Sequence, residues 1–600
     1  MIFAKCLFST LLVLSSATLL LHGQPAGDQP VRLNQLGFYP DAPKIAIVLT
    51  DQKGPFQVTT PDGREVLFSG TLGEARQNNI SGKTVRTADF SAFRRVGTYV
   101  INVPGLGHSY SFTIKRNVHR DLASAALKGF YYQRASTDLP EKFAGQWHRP
   151  AGHPDNHVVI HPSAASVTRP ASTTTASPGG WYDAGDYNKY IVNSGITTGT
   201  LLSLYEDFPD FCRELTNNIP ESGNRLPDLL DESLWNLRWM LTMQDPTDGG
   251  VYHKLTNPKF DGMVMPHKAG PPERNTDRYV VQKSVTAALD FAAVMAQASR
   301  IFRSYNRELP GLSDSCRTAA INAWQWAKQN PNTLYDQAAM NTAFDPDVST
   351  GTYGDRDASD EWIWAAAELY LTTKDDAYYT AIDLFPDDKT PLPSWPQVRT
   401  LAYYSLARLT HQLTPRGKRD LPKIKAHITQ QANQLRQNVS RQAFQTSMGK
   451  STSDYIWGSS AVAANQGIAL IQAYRLTGEK SYLDAALANL DYLLGRNAVG
   501  YSFVTGFGHK TPMHPHHRPS VSDGIIQPVP GLLSGGTNAN AARQDKCAGY
   551  TTTIADEVYL DSDCSYASNE IAINWNAPLV YLATALEALQ EKLSTTTTRK

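Results

Sequence analysis

Three carboxylates stand in surroundings that could move protons. Asp183 and Asp186 lie three residues apart around Gly185, in the stretch 179–190 between a Ser/Thr-rich loop and a helix start, so both can face one water molecule. Taken alone, such a pair could equally cap the helix, because acidic side chains satisfy the free N–H groups and the dipole at a helix N-terminus. Glu570 sits among Tyr566, Ile571, Ile573 and Trp575. Burial there would raise its pKa and keep a proton on it near neutral pH, as a general acid requires. The alternative for Glu570 is support of the last helix. A third stretch, 502–518, carries His509, His514, His516, His517 and Arg518 on a loop broken by Gly and Pro. No Glu is interleaved on a helix as in a metalloprotease, so these side chains read as donors to ligand hydroxyls rather than as zinc ligands.

Holding such residues takes a large scaffold. The chain has 600 residues, 41% of them hydrophobic and 19% charged, which is ordinary globular composition and enough for two or more domains. Its 56 basic residues balance 56 acidic ones. That removes the electrostatic case for a nucleic-acid or anionic-membrane partner and favours a neutral one. Eleven Trp and 28 Tyr supply flat faces on which ring-shaped ligands stack, although most such rings in any protein are core.

The first 23 residues place Lys5 ahead of an apolar run that turns polar at Gln24, the layout of a signal peptide. A secreted or periplasmic protein is expected, with no membrane span. In an oxidising compartment Cys547 and Cys564 are close enough in sequence to close a small loop. Residues 30–116 show short β-type runs separated by Asp, Gly and Pro turns, which reads as a small β-sandwich. From 117 to 593 the period becomes helical, at 119–134, 189–207, 226–244, 279–303, 359–373, 398–413, 457–476, 481–495 and 569–593. So many similar helices suggest pairs closing into an α/α barrel. The fold class expected is therefore multi-domain, a β-sandwich followed by an all-α barrel. The loops 146–180 and 500–567 are too long for connectors and are where a site would be built. The polar tail 594–600 is expected to be disordered.

Taken together, the three stretches resemble glycoside hydrolase family 9. The family's Asp-Ala-Gly-Asp motif stands at Asp183 to Asp186. Its histidine signature runs from Ser502 through Gly508, Lys510, Pro515, His516 and Arg518, and its acidic signature through Tyr559, Asp561, Tyr566, Glu570, Ala572, Asn576 and Ala577. The start at 31–38 is similar to the immunoglobulin-like domain that precedes the barrel in one branch. The resemblance implies an (α/α)6 barrel and inverting hydrolysis of β-1,4-glucosidic bonds in glucans by an endoglucanase. Asp186 would be the base, Asp183 its support and Glu570 the acid, with His516 and Arg518 on the sugar. Trp457, Tyr566 and Trp181 are candidates for sugar stacking.

An exo-acting enzyme on gluco-oligosaccharides or glucosamine-containing chains is the second expectation, because the 146–180 loop could wall off one end of the cleft. A non-catalytic carbohydrate-binding protein is the third; a lost acid would be its signature, and all three acidic positions are intact. No cofactor is implied for the chemistry, and a monomer acting on a β-glucan polysaccharide or oligosaccharide is expected. Relatives hold calcium at a stretch that stands here as 354–361, making Asp355, Asp360 and Glu361 candidate ligands for a structural calcium; the same residues would equally serve a helix start. Some relatives bind zinc, but here His153 lacks a neighbouring cysteine and no zinc site is expected.

Overall fold

Burial sorts the helices into two kinds. In the computed structural model, which describes residues 29–269 and 277–598, helix Val285–Phe302 buries every residue except Arg300. Helix Pro415–Arg441 buries only a stripe, including Ile424, Ile428, Gln431 and Leu435. A helix apolar all round belongs inside, and one with a single stripe belongs outside. Twelve helices build this part of the chain: α1 Arg120–Tyr132, α2 Ile191–Asp207, α3 Asp228–Thr242, α4 Val285–Phe302, α5 Leu312–Gln329, α6 Ser359–Thr373, α7 Asp376–Thr380, α8 Arg399–Arg408, α9 Pro415–Arg441, α10 Ser459–Thr477, α11 Lys480–Leu493 and α12 Ile573–Thr598. The even-numbered helices form the inner ring, with α12 on α2, α2 on α4, α4 on α6, α6 on α8, and α10 on α12. Side chains from α2, α8, α10 and α12 share one small cavity where the ring closes, lined by Ser203, Tyr404, Gln472 and Tyr581 among others. Nearby, buried Asp207 of α2 pairs with Arg408 of α8 at 2.7 Å and Arg475 of α10 at 2.8 Å, and accepts from Tyr581 of α12. The architecture is an (α/α)6 barrel.

The amino-terminal strands form two sheets. One runs in the order Val31–Arg32, Ile45–Val48, Thr84–Asp89, Arg76–Gln77, and the other Gly37–Phe38, Phe112–Ile114, Gly97–Val103, Pro55–Thr59, Val66–Thr71. Alternate residues such as Phe56 and Val58 point inward to join Phe38, Phe90, Ile101 and Phe112 in a core of their own. This is the immunoglobulin-like sandwich. A third sheet lies at the barrel mouth and runs Thr174–Thr175, Val158–Ile160, Tyr279–Val280, Lys254–Thr256, Lys189–Tyr190.

Several expectations change. Helices α5, α7 and α9 lie outside the stretches where the period is helical; Pro415, Gly417 and Pro422 punctuate α9, yet its stripe of buried residues outweighs them. Helix α12 runs through Thr598, so residues expected in a disordered tail are helical: extending an existing helix is cheap even through poor formers such as Thr. The leader expected at 1–23 lies outside the described residues. Among those described, Val285–Tyr305 is the one helical segment long and apolar enough to cross a membrane, and 94% of its apolar window is buried, so it is core. Cys547 and Cys564 form a disulfide, and Cys212 and Cys316 are buried thiols.

Candidate active site

Backbone contact draws the three chemistry-bearing stretches into one place. A Cβ at Gly185 would lie 2.1 Å from the carbonyl oxygen of His516, so only glycine lets the two backbone segments touch. Ile573 donates its N–H to the carbonyl of Asp183 at 2.9 Å, Arg518 donates to that of Gly185 at 3.2 Å, and His516 donates to that of Asn569 at 3.0 Å. Gly185 N–H reaches Glu570 Oε1 at 3.3 Å. Asp183, Asp186 and Glu570 thus share one interlocked floor, built from the mouth of the barrel and the start of α12.

The carboxylates differ in surroundings. Asp183 accepts from Asn193 Nδ2 on Oδ1 at 2.5 Å and from the Tyr353 hydroxyl on Oδ2 at 2.7 Å. Burial, and then the charge of Asp186, push its pKa up to about 8 against those hydrogen bonds. Asp186 is 5% exposed. Its Oδ2 accepts from Asn188 Nδ2 at 2.5 Å, Asn188 N–H at 3.3 Å and the Tyr190 hydroxyl at 3.3 Å, while Oδ1 takes no hydrogen bond from the described residues. Burial and the charge of Asp186 raise Glu570 well above the usual carboxylate range, with Arg518 opposing. The set provides one carboxylate with an open oxygen and one carboxyl that keeps its proton.

His516 gives Nδ1 to the carbonyl of Asp563 at 2.5 Å. A carbonyl only accepts, so Nδ1 carries the hydrogen; burial lowers the pKa of the ring and favours the neutral form, with Nε2 as acceptor. Arg518 donates Nη1 to the carbonyl of Gly185 and Nε and Nη2 to that of Asp261, at 2.6 to 3.0 Å. Three of its five N–H groups therefore brace the floor. Trp457, 41% exposed, packs 5.4 Å from Tyr566, which in turn meets His516 at 5.8 Å. Trp181 is a correction: it has no exposed surface, packs on Phe130 and donates its indole N–H to Glu232, so it has no face to offer a sugar.

Sequence reasoning passed over Asn188 and Tyr190, although both stand in the same stretch as Asp186, at spacings that return a side chain to it. Asn193 and Tyr353 carried no sequence signal; Tyr353 is marked only by its backbone, a non-glycine φ of 43° of the strained kind that gathers at functional sites.

Asp360 accepts from Val398 N–H at 2.5 Å, while both oxygens of Glu361 and Oδ2 of Asp355 are buried without a hydrogen-bond partner, as are both oxygens of Asp290 on α4. Burial raises the pKa of all four. Among the described residues, no group of three or more His, Cys, Asp or Glu side chains converges into a ready-made metal site.

Comparison with known proteins gives consistent matches. The family described as glycosyl hydrolase family 9 matches residues 119–583, and the cellulase N-terminal ig-like domain matches residues 26–108. A xyloglucan-specific endo-beta-1,4-glucanase of Bacteroides ovatus is 48% identical, over 93% of this chain and 94% of the relative. Endoglucanase D of Acetivibrio thermocellus is 33% identical over 92% and 83%. Among solved structures, a Bacteroides ovatus protein superposes with a TM-score of 0.88 at 46% identity, over 94% of this chain and 99% of that one. A thermostable endoglucanase of Alicyclobacillus acidocaldarius gives 0.80 at 30%, over 94% and 100%.

Proposed function

This chain belongs to glycosyl hydrolase family 9 and is an endoglucanase that cleaves β-1,4-glucosidic bonds with inversion, and from that premise we propose that Asp186 is its general base, Asp183 the support of the attacking water and Glu570 the general acid. The observation that carries this is the asymmetry of Asp186: Oδ2 is held by three donors while Oδ1 stays open. Water between Oδ1 and the anomeric carbon loses its proton to Asp186 as it attacks. Glu570, kept protonated by burial and by its anionic neighbour, protonates the departing glycosidic oxygen. His516 and the remaining donors of Arg518 hold the sugar at the scissile bond, and Trp457 and Tyr566 stack on the next rings.

A xylose-decorated glucan is the favoured substrate, supported by the xyloglucan-specific relative at 48% identity. The protein is exported and works as a monomer without a catalytic cofactor. A structural calcium would be held by Asp355, Asp360 and Glu361, a reading supported by the partnerless buried oxygens of Asp355 and Glu361; it would stabilise the start of α6 and take no part in bond cleavage.

Glu570→Gln and Asp186→Asn should each lower kcat on unactivated oligosaccharides by about 10³-fold or more while leaving ligand binding and thermal melting near wild type. Proton NMR should show the α-anomer of the product first. Full activity in either variant removes that residue from its role.

A further inference from the structure

Lys254 is fully buried in the middle of the mouth sheet. It lies opposite Tyr190 in the antiparallel register of Lys254–Thr256 with Lys189–Tyr190. Its Nζ donates to Gln337 Oε1 at 2.7 Å, Gly351 O at 2.7 Å and Thr350 Oγ1 at 3.0 Å, and no carboxylate among the described residues lies within ion-pair distance. Three acceptors match the three donors of an ammonium; a neutral amine would turn a lone pair on one of them. Burying a cation without an ion-pair partner is costly, and a group so placed asks for a reason.

The reason lies one layer up. Thr350 Oγ1 is 2.6 Å from Thr256 Oγ1, whose single hydroxyl hydrogen lies between Asn188 Oδ1 at 3.1 Å and Asn257 O at 2.8 Å, and Asn257 N–H donates to Asn188 Oδ1 at 2.8 Å. These bonds aim the Asn188 amide so that Nδ2 meets Asp186 Oδ2. Tyr190, the other donor to Oδ2, has its ring centroid 5.5 Å from the ammonium. The negative charge of Asp186 in turn favours the charged lysine against burial, which pulls it down to about 7.

We propose that Lys254 is a positioning residue for the general base: its buried ammonium and the strand that carries it set Asn188 and Tyr190 on Asp186 Oδ2 and hold that carboxylate ionised. The other titratable groups facing Asp186 are Asp183, Asp261, Glu570, Tyr190 and His516. Three of them are acidic and burial keeps His516 neutral, while Arg518 faces Glu570 and Asp261. The proposal rests on Asp186 being the base.

Lys254→Met should move the acidic limb of the kcat/KM pH profile to higher pH by about one unit, because removing a cation disfavours the ionised carboxylate. Well below the limb this approaches about a tenfold loss, and on the plateau above it the loss vanishes, with KM within about twofold of wild type. Thr350→Val, which keeps the lysine but removes one of its three acceptors together with the link to Thr256, should give a smaller shift of the same sign and decides the matter if Lys254→Met does not fold. An unmoved acidic limb in the folded variants, or a loss uniform across pH, overturns the proposal. An active Asp186→Asn would instead overturn the role of Asp186.

Discussion

Trp457 and Trp181 are the same residue type beside the same chemistry, and they do opposite work. Trp457 keeps a face in solvent next to Tyr566, and Trp457→Ala should raise KM for long oligosaccharides by about tenfold, near the ~1.5 kcal/mol of a ring stack, with kcat little changed. A KM that stays at the wild-type value would take Trp457 off the substrate path. Trp181, one residue from the Tyr182–Asp183 step, is sealed by Glu232 and Phe130. Nothing local separates the two tryptophans, because burial is decided by which helix packs above. The carboxylates were legible because Asp183, Asp186 and Glu570 each sit in a long motif. Their hydrogen-bond partners were not, since Asn193 follows ten residues later, outside the motif and in the first turn of α2, and Tyr353 comes from a distant loop and meets Asp183 only in the folded barrel.

At the scale of elements, helix period carried most of the barrel, and it failed at α9, where Pro422 breaks it, and at α5, which has no breaker inside it. The start of α6 poses the opposite ambiguity. Asp360 and Glu361 in its first turn suit the helix dipole, yet that interaction needs no buried oxygens left without a partner. If calcium is held there, EDTA should lower Tm by several degrees and added calcium restore it, since a cation at a hundred times its Kd contributes about 2.7 kcal/mol. An unchanged Tm would leave these carboxylates to the dipole alone.

Across the whole molecule, the sandwich bears on the site where Gln35, Tyr110 and Ser111 meet the histidine loop. Gln35 Oε1 accepts the N–H groups of His509 and Lys510 at 2.7 and 2.9 Å, and its Nε2 donates to Gly500 O at 2.9 Å. A Cβ at Gly508 would lie 2.9 Å from that oxygen, so the glycine keeps room for it. Gln35→Ala leaves two N–H groups of the histidine loop unmatched, and should cost about 2 kcal/mol in thermal unfolding and lower kcat through His516 and Arg518. Equal activity at lowered Tm would show that the sandwich supports the barrel without tuning the loop. The two domains were visible as a change of period near His119; the contact between them was not, because Gln35 and His509 are ordinary polar residues until the chain brings them together.

Glu570 stands at the head of α12, the last inner helix, while Asp183 and Asp186 precede α2, an early one. The ring has no closed floor until its final segment docks against both neighbours. During synthesis, then, a nascent chain carries its base for hundreds of residues before the acid exists, and it is inert toward glucan until α12 has docked.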